Sequence, residues 1–183
     1  MIPTLLLCAL LLLGDPQTAL KPVIDNDRVA VWDVTDSANA QPFDAVVVSL
    51  SGSAVFVAKG TTPKIDGRSV VIDLKDHPVP PIANTSGYPL AFPRPGSKKL
   101  FENARVIVWD YTWTPGVPTP MHFHDKDVVV VFLEDGDLKS TTPDGKATVN
   151  SYSFDTIRFN SRDRVHTETL VRGSQHAIIT ELK

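Results

Sequence analysis

The chain has 183 residues, 42% hydrophobic and 21% charged, which allows one sizeable apolar core or two small ones. Its formal net charge of −3, with no Lys/Arg-rich run, excludes a general nucleic-acid binder and a basic membrane-surface protein.

Taken in chain order, the first feature is an uncharged apolar run from Leu5 to Leu13. It is too short for a membrane-spanning helix, which takes about 20 residues. Its length suits the core of a signal peptide spanning residues 1–19, with Ala19 at a small-residue cleavage position. The expectation is therefore export, to a periplasm or the exterior, with no stable membrane span after leader removal. Cleavage would remove Cys8, the single cysteine, leaving neither a disulfide framework nor a thiol nucleophile.

After the leader, period-two patterns dominate and no segment carries a clean helical stripe. Residues 28–34, 45–50, 54–58 and 69–74 are expected strands, followed by 105–113, 128–133, 147–149, 156–159, 166–171 and 177–182. Each is short, rich in Val, Ile, Thr or aromatics, and bounded by Gly, Pro, Asp or Asn. Between 78 and 95 the prolines Pro80, Pro81, Pro89, Pro93 and Pro95 predict an irregular stretch, because proline cannot donate to a ladder. The fold class is all-β.

The chain also repeats itself. Asn26-Asp27-Arg28-Val29-Ala30-Val31-Trp32-Asp33-Val34-Thr35 recurs 77 residues later as Asn103-Ala104-Arg105-Val106-Ile107-Val108-Trp109-Asp110-Tyr111-Thr112, with seven of ten positions identical. Asp66-Gly67-Arg68 faces Asp144-Gly145-Lys146 at a shift of 78. Two units are expected, residues 20–101 and 102–183. The second alone contains the stretch around Met121-His122-Phe123-His124, so the first is a partner without ligands.

His122 and His124 lie at i and i+2, which on a strand places both imidazoles on one face. His166 opens a later strand and can supply a third nitrogen, and Glu168, two residues on, shares its face. Three neutral nitrogens, with or without that carboxylate, suit a divalent Zn, Mn, Fe or Ni ion. Asp127 points away from this face under strict alternation and would need a bulge to reach it. Trp109, Tyr111 and Trp113 share a face, and Tyr111 and Trp113 are candidates to line a pocket.

Gly116, five residues, His122-Phe123-His124 and a closing Gly136 resemble the first motif of the cupin superfamily, with Val129 where that motif carries glutamate. Asn160 to His166 resembles the second motif. The resemblance implies a jelly-roll, double-stranded β-helix barrel and, through the repeat, two small tandem cupin-like units with a degenerate first half. It also implies a metal-dependent oxidation or isomerisation of a small organic molecule, three-His dioxygenases being an accepted variation. A non-catalytic metal- or ligand-binding module and a structural protein pairing as a homodimer are the competing expectations.

Overall fold

The computed structural model describes residues 21–35, 41–65 and 67–183, so the expected leader lies outside the described residues. Regular structure among them consists entirely of strands. Those of the first half are β1 (Ile24–Asp25), β2 (Val29–Val34), β3 (Asp44–Ser49), β4 (Ser53–Val57) and β5 (Ser69–Leu74). The second half contributes β6 (Ser97–Glu102), β7 (Val106–Thr112), β8 (His122–His124), β9 (Val128–Phe132) and β10 (Gly136–Thr141). It ends with β11 (Ala147–Tyr152), β12 (Ile157–Asn160), β13 (Arg164–Gly173) and β14 (His176–Leu182). No helix among the described residues is long and apolar enough to cross a membrane.

The second half builds two antiparallel sheets, ordered β12-β9-β14-β7-β6 and β11-β10-β13-β8. The chain passes from one sheet to the other between β7 and β8, β8 and β9, β9 and β10, β11 and β12, β12 and β13, and β13 and β14. That alternation of four strands against four is a jelly roll, two interleaved Greek keys closed into a barrel. Gly136 and Gly173 face each other where β10 meets β13. A Cβ on Gly136 would lie 2.5 Å from the Ser174 carbonyl oxygen, and one on Gly173 2.3 Å from that of Asp135, so both positions require glycine.

The first half forms a single sheet, β1-β2-β5-β3-β4. It matches the barrel sheet strand for strand: β1 with β6, β2 with β7, β5 with β14, β3 with β9 and β4 with β12. The match extends to hydrogen bonds. Asn26 accepts from the amides of Arg28 and Val29, as Asn103 does from those of Arg105 and Val106. The Trp32 indole donates to Asp73 (2.9 Å), as the Trp109 indole does to Glu181 (2.8 Å). Counterparts of β8, β10, β11 and β13 do not occur among the described residues of the first half.

The structural duplication is thus one sheet, where the resemblance implied a second small barrel. The physical reason lies in side-chain alternation. Val29, Val31, Val46, Val48, Val70 and Ile72 form one apolar face that packs directly on Val106, Val108, Val129, Val131 and Ile178 of the barrel. The barrel's outer surface covers the face that a second sheet would otherwise have to cover. The pairing of Gly67 with Gly145 does not survive: β5, after Gly67, corresponds to β14, whereas β11, after Gly145, lies in the other barrel sheet.

Arginines cross the interface reciprocally. Arg28 donates to Asp127 (2.6 Å) and to the Lys183 carbonyl (3.1 Å). Its repeat mate Arg105 reaches Asp44 (3.3 Å) and the carbonyls of Leu74 and Lys75. The two pairs differ in burial, with side-chain exposures of 9% and 10% for Arg28 and Asp127 against 25% and 28% for Arg105 and Asp44. Removing one partner of the drier pair strands a charge. Arg28→Ala should cost about 3 kcal/mol in urea unfolding and Arg105→Ala about 1 kcal/mol. Equal losses would show that the two crossings are equivalent.

Candidate metal centre

Three strand features bring the histidines together. His122 and His124 alternate on β8, which pairs with β13 so that His166 stands opposite His122 and Arg164 opposite His124. The three rings enclose one another edge-on, with centroids 4.8 to 5.0 Å apart. Their Nε2 atoms converge: 3.2 Å between His122 and His124, and 3.1 Å between His124 and His166. Three nitrogens bound to one ion at about 2.1 Å would stand roughly 3.0 to 3.4 Å apart, depending on geometry. The spacing fits one first-row ion.

The other ring nitrogens set the tautomers. His122 Nδ1 donates to the Pro120 carbonyl (2.7 Å), leaving a lone pair on Nε2. His166 Nδ1 is 3.2 Å from the Ser140 hydroxyl, while His124 Nδ1 is buried without a hydrogen-bond partner and its ring is held between the other two. Burial, reinforced by the Arg94 guanidinium, pushes the His122 pKa down to about 3. Burial with nearby Arg164 holds His124 well below its ordinary value, and burial lowers His166 although Glu168 opposes it. All three are therefore neutral donors at physiological pH.

Glu168 shares the site's face but does not join the nitrogen cluster, which contains His122, His124 and His166 alone among the described residues. Its Oε2 accepts from Arg94 Nη2 and from the Trp113 indole, both at 3.2 Å. Burial works against its charge, yet Arg94 and the histidines hold its pKa below the usual carboxylate range. Asp127 is turned to the sheet interface with Arg28 and accepts from the Arg162 amide (2.9 Å). Val129, counted as the missing glutamate, also faces that interface; the barrel-facing residues of β9 are Val128, Val130 and Phe132.

Trp113 lines the cavity beside the histidines, whereas Tyr111 is buried beneath it with the Arg94 guanidinium 4.3 Å from its ring centre. Arg94 is the residue that sequence reasoning missed. It lies in the proline-rich stretch, which follows β8 through Pro89 and Ala91, each hydrogen-bonded to Phe123. From there Arg94 Nη1 reaches within 2.6 Å of His122 Nε2. An ion held by all three histidines would displace that hydrogen bond.

No family model matches the chain. The β-alanine degradation protein BauB of Pseudomonas aeruginosa is 43% identical over 60 residues, 33% of this chain and 59% of that protein, so the match spans under two thirds of that relative. A cupin domain from Bordetella pertussis is 25% identical, with a TM-score of 0.44, over 50% of this chain and 97% of that one. An RmlC-like cupin family protein with a double-stranded β-helix fold, from Methanocaldococcus jannaschii, is 13% identical with a TM-score of 0.41 over 58% and 91% of the two chains. The second half of the chain is a jelly-roll barrel. Its histidines sit where β8 and β13 of that barrel meet.

Metal-free protein should be acid-sensitive. In the unfolded chain the three imidazoles take up protons near pH 6.5, whereas in the folded barrel they stay neutral, His122 down to about pH 3. The unfolded state then binds more protons, so stability is full above pH 6.5 and declines as pH falls from there towards 3. Thermal melts of chelator-treated protein from pH 7.5 to 4 should show a falling midpoint; a flat profile would mean that the rings are not buried as neutral groups.

Proposed function

We propose that the protein is an exported cupin that holds one divalent ion through His122, His124 and His166 and acts on a small organic molecule. The observation that carries this reading is the convergence of three neutral Nε2 atoms at 3.1 to 3.2 Å inside a barrel cavity. Zn, Mn, Fe and Ni all suit a nitrogen set of this kind. When bound, such an ion supplies Lewis acidity and open positions for a ligand atom.

The chain's own groups do the rest. Pro120 and Ser140 orient two of the rings, and Trp113 and Arg94 fix the Glu168 carboxylate beside them. Glu168 is the one carboxylate lining the cavity, placed to hold or accept a proton from a bound molecule. Val128, Val130, Phe132 and Ile179 form a dry wall opposite. The activity is an oxidation or isomerisation, for which an ion held by His122, His124 and His166 would supply the Lewis acidity. BauB, whose name ties it to degradation of a small amino acid, supports a metabolic role. The apolar run from Leu5 to Leu13 supports export.

The test is elemental analysis of protein purified without chelator from the exported fraction. About one divalent metal per chain is expected, with an N-terminus at Leu20, and His122→Ala and His166→Ala should each lose the metal. Metal-free protein of unchanged thermal stability on addition of Zn, Mn or Fe would overturn the metal reading, and an intact Met1 on cytosolic protein would overturn export.

A further inference from the structure

The cavity is electrically one-sided. Its volume is about 180 Å³, and Arg94, Arg158, Arg164 and Glu168 supply its charged lining. Arg94 and Glu168 pair at 3.2 Å. Arg158 and Arg164 have no carboxylate within ion-pair distance among the described residues. Arg164, on β13, spends its Nε on the Ser161 carbonyl (2.5 Å), and its two terminal nitrogens have no hydrogen-bonded partner among the described residues.

Strand register puts both on the barrel-facing side and in the cavity lining, Arg164 half-buried and Arg158 exposed to solvent. Arg164 is two residues before His166 on β13, and Arg158 is opposite Val130 of β9, whose side chain faces the barrel interior. The interior of a small barrel is ordinarily filled by apolar side chains. Here β9 and β14 supply an apolar wall, whereas β11, β12 and β13 supply Asn150, Asn160 and the two arginines. Glu168 and Asp127 act on Arg164 only from beyond ion-pair distance. A guanidinium so placed raises the potential of a cleft and draws an anion into it. Its planar fork matches a carboxylate, and the apolar wall suits an organic body attached to that group.

We propose that the cavity binds a small organic carboxylate, with Arg158 and Arg164 taking its anionic group and the wall of Val130, Phe132 and Ile179 taking its body. This rests on the three-His cavity being the ligand site and names the substrate class for it. The size fits: an engineered cavity of roughly 150 Å³ accepts benzene, so a ligand of about ten non-hydrogen atoms is admitted. Inorganic phosphate offers the arginines a similar charge but nothing to the apolar wall.

Calorimetric titration of chelator-treated protein with benzoate, benzamide and inorganic phosphate tests the assignment. Benzoate and benzamide share shape and differ in charge. Benzoate should bind at least tenfold more tightly than benzamide and phosphate, and Arg158→Gln and Arg164→Gln should each weaken benzoate at least tenfold while leaving benzamide unchanged. Arg158→Lys and Arg164→Lys should retain part of the affinity, with melting curves confirming that every variant is folded. Equal binding of benzoate and benzamide, no binding of benzoate, preference for phosphate, or full benzoate affinity in the glutamine variants would each overturn the proposal. Because the protein is metal-free in this titration, failure of the metal reading leaves its outcome interpretable.

Discussion

The structure depends on a barrel sheet that is buried on both faces. β9 shows this most directly: Val128, Val130 and Phe132 fill the barrel, and Val129 and Val131, with Leu133 just past the strand, pack against the N-terminal sheet. A run of consecutive apolar residues is the pattern expected of a strand with no solvent face. Such a strand has little polar alternation to fix its register. Size and hydrogen bonding supply it instead. Along β7 the large Trp109 and Tyr111 point in and the small Val106 and Val108 point out, and the buried Trp109–Glu181 bond locks β7 to β14. Burial raises the Glu181 pKa, so this carboxyl is costly unless it is partnered, and Trp109 partners it.

That double burial positions the site. With β9 and β14 held as the dry wall, the opposing strands β8, β10, β11 and β13 can carry polar residues into the barrel without leaving it hollow. The histidines are affordable there because each is neutral and two are anchored by a second nitrogen, at Pro120 and Ser140. Arg94 and Glu168 neutralise one another at the same depth. The N-terminal sheet contributes no side chain to the cavity; its part is to cover the outer face from which the whole arrangement is braced.

Much of this was legible in the sequence. The strands with dense Val, Ile and aromatic content fell within a few residues of their expected bounds, and the His122, His124 and His166 cluster followed from alternation and a shared motif. The strands β6 and β10 were not legible, because Ser97-Lys98-Lys99 and Gly136-Asp137 through Thr141 are polar, one strand lying at a sheet edge and the other facing a polar cavity. Counting residues placed Val129 at the carboxylate position, but spacing along a chain does not say which side of the strand faces the barrel, and Val129 faces away. The repeat was visible in β2 and β7, where identity is high. Its extent was not, because β5 and β14 correspond by their hydrogen-bond partners and their buried carboxylates, Asp73 and Glu181, and not by a constant shift. Arg94 carried no signal, since an arginine within a proline-rich stretch resembles a surface residue until that stretch is laid along β8.

The central claim is that three imidazoles held by this double-buried barrel converge on one ion. An anomalous difference map from crystals grown with Mn or Zn, collected at the metal's absorption edge, tests it most directly. A single peak about 2.1 Å from the Nε2 atoms of His122, His124 and His166, with the Arg94 guanidinium turned away from His122, is the predicted result. A barrel with no peak at the histidines, or with its peak elsewhere, would contradict it.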